Sequence, residues 1–409
     1  MKRAYRRALT LLALTAVLAL IAGAYYASKL AVVGTAFTAK TLCSGIFVSH
    51  RDASSVLDTD LSPDIHPILR YLDARVDPDA REVRASLFGL AKRRATYREG
   101  FGCVVDREEG ARFAAFAGST PTPSPAERAS TGDDLRTQGE LPPEIDASVL
   151  RSAVDWAFSE PDPKLLRNTR AVLVVHDGQI VAERYADGFT QDTALIGWSM
   201  TKSVVNALIG ILAKEGRLSV EAPAPVPEWK AEGDPRRKIT LAQLLHMTSG
   251  LEFDEDYSNP LADVTYMLFG VPAAAEFAVA KPLVVEPGTR WSYSSGTSNI
   301  LTHALRSVVG DADYHPFPRR ALFDRVGMSS AVMETDAVGT FLGSSFMYAT
   351  ARDWARFGLL YLQDGVWSGT RILPEGWVAF SLAPAHGSPD GQFGAHFWRR
   401  IPKEFRCEG

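Results

Sequence analysis

A mixed α/β (α+β) fold carried behind an apolar N-terminal helix is what this sequence predicts, and three patterns predict it. An amphipathic run, Val149, Leu150, Val154, Trp156 and Ala157, recurs at helical spacing. It is followed by two strand-like runs, Ala171 to Val175 and Ile180 to Tyr185, joined through Asp177-Gly178, the dipeptide most suited to a tight hairpin. A long apolar helix then follows: Val204, Val205, Ala207, Leu208, Ile211 and Leu212, closed by Gly216. A helix, an antiparallel hairpin and a further buried helix in that order open a layered α/β domain.

The elements preceding this domain are of another kind. Lys2, Arg3, Arg6 and Arg7 stand before an uncharged stretch from Ala8 to Ser28, and Lys29 closes it. Cations at one end and about 20 apolar residues make residues 1–30 an export segment facing out of the cytoplasm. Two outcomes stay open: an inner-membrane anchor with the chain on the periplasmic side, or a signal peptide cut after Ala22-Gly23-Ala24. A buried core helix fits poorly, because four cations crowd one end. Residues 31–117 read as a small module, with short strand-like runs at Gly45 to Ser49 and Val83 to Leu90 and a helical patch at Ile65 to Leu72. In an oxidising compartment its Cys43 and Cys103 have the opportunity to pair, or to serve as small buried apolar groups. Residues 118–143 are rich in Pro, Ser, Thr and Gly and read as an exposed linker. Residues 144–409 form the larger unit, without internal repeats, where the chemistry is expected.

Composition excludes several function classes. The chain has 409 residues, 46% of them hydrophobic, too many for a disordered protein. The net charge of −4 is spread without basic blocks, so a nucleic-acid partner is not expected. The 3 cysteines and 8 histidines lack metal-binding spacing, and no glycine-rich loop follows a strand, so neither metal nor nucleotide cofactor is expected. The sequence sets no oligomeric state.

The chemistry-bearing candidate is Ser199-Met200-Thr201-Lys202 at the start of the long apolar helix. A serine hydroxyl needs a base within hydrogen-bond reach, and a lysine one turn on is on the same face. A helix N-terminus also offers a positive dipole end to a developing oxyanion. Alone, Ser-x-x-Lys carries little information, and a capping serine with a solvated lysine accounts for it as well. Three further blocks follow. Thr240-Leu241-Ala242-Gln243 is a capping-box pattern running into His246-Met247-Thr248-Ser249-Gly250-Leu251. Pro287-Gly288-Thr289-Arg290-Trp291-Ser292-Tyr293-Ser294-Ser295-Gly296 places a tyrosine ahead of another apolar helix, and Tyr348-Ala349-Thr350-Ala351-Arg352-Asp353 precedes the last.

Together, from about Arg170 to Trp398, these blocks resemble the serine β-lactamase and penicillin-binding-protein superfamily, most of all its class C β-lactamase-related esterases and 6-aminohexanoate-dimer (nylon-oligomer) hydrolases. The resemblance implies an antiparallel sheet flanked by helices plus a mostly helical domain. It implies a serine hydrolase acting on a small ester or amide through an acyl-serine, with Ser199 as nucleophile, Lys202 as its partner and Tyr293 as general base or proton shuttle. It gives Ser295 and Tyr257 to substrate binding, Ser295 standing where many relatives carry asparagine. His246 and the Thr-Ala-Arg-Asp block are scaffold in this comparison. Relatives continue past Phe393 to Trp398 into strands bearing a Lys-Thr-Gly or His-x-Gly motif, so the C-terminal strands are expected to be lacking here. Losing the oxyanion donor they provide typically costs ~10²-fold in rate. A second reading follows: an inactive or penicillin-binding-like relative that serves as a binding module. Multiple turnover separates the enzyme from it.

Overall fold

The computed structural model describes residues 2–63, 65–107, 135, 140–400 and 404–406. Most of the expected linker, residues 118–134 and 136–139, lies outside them.

One helix, α1 (Lys2–Phe47), runs through both the export segment and the start of the module. Its first half, including Leu11, Leu12, Leu18, Leu20 and Ile21, is exposed, whereas Val33, Ala36, Ala39, Leu42 and Cys43 are buried. The Gly45 to Ser49 run, expected as a strand, instead supplies the end of this helix, to Phe47, and the turn that follows it. A four-stranded antiparallel meander packs on its second half: β1 (Leu72–Asp77), β2 (Glu82–Leu87), β3 (Leu90–Arg98) and β4 (Gly102–Arg107), in that order. The helical patch at Ile65 to Leu72 shrinks to a 3₁₀ turn, Pro67–Tyr71, because Leu72 already pairs with Leu87 in the sheet. Cys43 and Cys103 are disulfide-bonded, with Cα atoms 6.0 Å apart, and tie α1 to β4.

The second half of α1 buries two faces. Ala39, Leu42 and Cys43 pack with Val83, Ala85 and Ala95 of the meander, whereas Val33 and Ala36 belong to the core of the larger unit. At the junction Lys40 forms a fully buried ion pair with Glu334, 2.6 Å apart. Glu334 also accepts from Ser44 Oγ at 2.8 Å and from the Cys103 amide at 2.7 Å. Gly102, at φ +64°, allows this approach, since a Cβ there would lie 2.3 Å from Glu334 Oε1.

The larger unit opens with α2 (Ala147–Phe158), capped by Asp146, whose carboxylate accepts from the Ser148 and Val149 amides. The hairpin of β5 (Ala171–His176) and β6 (Gln179–Tyr185) turns at Asp177 and Gly178, both at positive φ as a tight hairpin turn requires. β7 (Leu195–Ile196), β8 (Val332–Met333) and β9 (Met347–Ala349) form a separate three-stranded antiparallel sheet in the order β7-β9-β8. The strands are thus antiparallel as expected, but among the described residues no strand joins the two pieces into one sheet. Of the strand-like Gln392 to Trp398 run, only Trp398 enters a ladder, which pairs Trp398–Arg400 with Glu404–Arg406.

Two helices make the centre. α3 (Met200–Lys214) is buried on every side from Thr201 to Leu212, which matches its mainly apolar sequence after Ser203, and the buried polar Ser203 and Asn206 are hydrogen-bonded. It packs against α4 (Ser295–Val309). Gly343 lets the loop before β9 approach both helices, since a Cβ there would meet Thr302 at 2.3 Å and Val205 at 2.8 Å.

Candidate active site

Ser199 stands at the N-cap of α3, one residue after Trp198, which adopts a left-handed φ of +40°. A bulky side chain in that region is strained by about 1–2 kcal/mol, a cost that concentrates where a side chain must be aimed. The turn is anchored by the Gly197 amide, which donates to Met347 O of β9 at 2.8 Å. Ser199 makes no side-chain capping bond, so its hydroxyl is not committed to the helix.

Lys202 Nζ donates to Ser199 Oγ at 2.7 Å, to Ser344 O at 2.9 Å and to Ser295 Oγ at 3.2 Å. The ammonium's three hydrogens therefore meet three oxygens. The group is completely buried, and the loss of water lowers its pKa to about 8, against the opposing pull of Glu255. A lysine held this way is partly neutral near physiological pH, which lets it accept a proton from the serine. Lys202 Nζ also lies 5.0 Å from the centroid of the Tyr293 ring. Tyr293 is held by its neighbours: it stacks on Trp398 at 5.6 Å and meets the edge of Phe393 at 5.7 Å.

Ser295 begins α4, with its side chain between Lys202 and a carboxylate. That carboxylate is Glu255, which accepts from the Ser295 amide at 2.7 Å and from Ser295 Oγ at 2.5 Å. The Tyr257 hydroxyl donates to the same Glu255 at 2.6 Å, while its ring stays two-thirds exposed. The structure thus gathers Ser199, Lys202, Tyr293 and Ser295 closely around one amine and places Tyr257 at their rim. Glu255 is a member that the sequence reading passed over. Its only signal was a position two residues before Tyr257, in an acidic run where each charge reads as solvated.

Two other features frame the site from behind. His396 bridges the Lys202 carbonyl at 2.9 Å and Ser298 Oγ at 3.2 Å, and burial pushes its pKa down to about 3, so it is a neutral structural link. His246 packs edge-on to Phe380 with Nδ1 2.9 Å from Ala242 O, a scaffold position as expected. In the last block Arg352 makes a two-pronged pair with Glu183 of β6, and Asp353 accepts from Ser330, both structural bonds.

Parts of the chain are similar to known proteins. A 6-aminohexanoate-dimer hydrolase of Paenarthrobacter ureafaciens is 28% identical over 228 residues, 53% of this chain, and this chain spans 57% of that relative's length. Among solved structures, a putative 6-aminohexanoate-dimer hydrolase from Bacillus anthracis is 25% identical, with 58% of this chain and 67% of that one covered and a TM-score of 0.47. A putative β-lactamase from Bacteroides dorei is 23% identical, covering 61% and 77%, also at 0.47. The family described as Beta-lactamase matches residues 165–400, more than half of the sequence and all of the residues gathered around Ser199. The chain belongs to the Beta-lactamase family.

Proposed function

We propose that the protein is a serine hydrolase that cleaves a small ester or amide through an acyl-serine, held on the outer face of a membrane by α1. The observation that carries the reading is the 2.7 Å bond from a completely buried Lys202 to Ser199 Oγ. A serine beside an amine with pKa near 8 is an activated nucleophile. Ser199 Oγ adds to the carbonyl carbon while its proton passes to Lys202. That proton then moves, with Tyr293 as the shuttle, to the departing alcohol or amine, leaving acyl-Ser199. Water adds to this ester, the carboxylic acid leaves, and the serine hydroxyl is restored. Ser295 and Glu255 hold the lysine side of the site, and Tyr257 faces the substrate entrance.

The test is incubation of the full purified chain with p-nitrophenyl acetate. Expected are multiple turnovers, an acetyl group on Ser199 by intact mass and peptide mapping, and loss of both in Ser199→Ala. Acylation without release would instead make the chain a binding module, and no acylation would refute the nucleophile.

Glu255 gives a second test through its charge. Its carboxylate favours the protonated form of Lys202. Glu255→Gln is therefore expected to shift the acid limb of the kcat/KM profile to lower pH. A limb that stays in place, or moves up, would remove Glu255 from the electrostatics of the amine.

A further inference from the structure

A cavity larger than a small ester needs is lined by Trp198, the residue before the nucleophile. Its volume is about 760 Å³, in the upper part of the ~300–1,000 Å³ range of ligand pockets. Leu30, Val33, Gly34 and Phe37 of α1 line it, as do Trp198 and Tyr257. Ser199, Lys202, Tyr293 and Ser295 do not line it; the cavity reaches toward them through Trp198, which directly precedes Ser199, and Tyr257, which bonds to Glu255 at the rim of the site. The lining is mainly apolar. Of its charged members, Arg51 and Arg170 are ion-paired through Asp60, and Arg167 lies over the Trp156 ring and donates to Trp156 O.

The position of this cavity relative to a bilayer can be read from the surface. The exposed apolar part of α1, residues 9–28, spans about 30 Å at helical rise, the thickness of a hydrocarbon layer. Tyr25, Tyr26 and Lys29 end it, the residue types that sit at a membrane interface. The cavity begins at the next residue, Leu30. The β2–β3 turn stands beside the same stretch of α1, bonded there by Thr35 Oγ1 to Ala91 O at 2.7 Å. Its tip carries Phe88 and Leu90, 76% and 72% exposed, with no polar function to explain them. Ile65, half-exposed, lines the cavity as well. Exposed apolar residues are thus present on α1 before Leu30, on the turn bonded to α1 at Thr35, and at Ile65 in the cavity lining.

We propose that this cavity takes the aliphatic acyl chain of an amphiphilic carboxylic ester drawn from the bilayer, leaving the ester carbonyl at Ser199. The proposal rests on the reading of Ser199 as an acylated nucleophile and adds the substrate class. Each methylene moved from water to the apolar wall is worth roughly a factor of four in affinity at most.

The experiment measures kcat/KM of the full chain in mixed micelles for p-nitrophenyl acetate, hexanoate and decanoate, and inhibition of acetate turnover by propionic and decanoic acids. Expected is a decanoate-to-acetate ratio of about 10² or more, with decanoic acid binding at least as much more tightly than propionic. Gly34→Phe and Val33→Trp are expected to cut that ratio about tenfold. At Gly34 the three atoms nearest to an added Cβ belong to the Leu72 and Ile68 side chains, at 3.4 Å or more, and Ile68 itself lines the cavity. Acetate turnover with a flat chain-length series and equal inhibition by both acids overturns the cavity proposal alone. A steep series that neither variant reduces, in folded protein, also overturns it, since micelle partition then explains the preference. Absence of acetate turnover and of Ser199 acylation overturns the nucleophile reading, and the cavity proposal with it.

Discussion

Replacing Lys202 with methionine is expected to lower kcat/KM for p-nitrophenyl acetate by about 10²–10⁴-fold, the range that a positioned general base contributes. Methionine matches the length of the lysine and keeps the core filled, but it offers the Ser199 hydroxyl no basic group. The same substitution is expected to change how stability depends on pH. The folded pKa of Lys202, about 8, lies below the ordinary 10.5 because of burial. Between those pH values the unfolded chain binds more protons than the folded one, so stability rises with pH through that window. Below pH 8 the full cost of holding the charge in the core is present, about 3 kcal/mol from the gap between the two values. The parent should therefore gain urea resistance from pH 8 to pH 10 relative to Lys202→Met, which has no such group to titrate. Stability curves that run parallel across this interval would show that the lysine does not lose its proton there. Undiminished turnover would show that the serine is activated by another group.

The centre of this site was legible because local pattern and tertiary structure agree there. The apolar residues from Val204 to Leu212, interrupted by Asn206 and Gly210, run long enough to read as a buried helix, and a serine at its start with a lysine three residues on then shares its first turn. Asp177-Gly178 and the Thr240–Gln243 capping box were legible for the same reason, since the structure makes both from bonds within a few residues. What was not legible depends on distant partners. Glu255 reaches Ser295 across forty positions of chain, and nothing in Asp254-Glu255-Asp256 singles out the middle carboxylate. Gly45 to Ser49 has strand-forming residues, yet it forms the last helical residues and the turn after them because Cys43, Ser44 and Gly45 are locked against β4, Glu334 and Val56. The reach of α1 beyond residue 30 was hidden similarly. Its Gly, Ala and Thr residues carry little hydrophobic signal, but their small size lets the meander and the larger unit approach it from two sides.

Glu334→Ala is expected to lower the melting temperature by about 5–15 °C, because it strands the buried ammonium of Lys40. Breaking one side of a buried pair costs about 3–5 kcal/mol, and a chain of this size loses a few degrees per kcal/mol. Both side chains are almost entirely shielded from water. Burial alone already lowers the Lys40 pKa, and Glu334 is the main group opposing that fall. Without Glu334 the folded pKa drops further, so the unfolded chain binds the extra proton and the variant regains stability as pH rises. The double variant Lys40→Met/Glu334→Ala should recover more than half of the lost stability at neutral pH, since no charge is left in the core. The remainder is the unsatisfied Cys103 amide and Ser44 hydroxyl that Glu334 had accepted from. Additive losses in the double variant would show that the two side chains do not act as a pair. The consequence reaches the nucleophile, because this pair fastens α1, one wall of the cavity, to the unit that carries Ser199. Glu334→Ala should therefore reduce decanoate turnover more than acetate turnover at temperatures where the protein remains folded, and equal losses on both esters would separate the ion pair from the cavity.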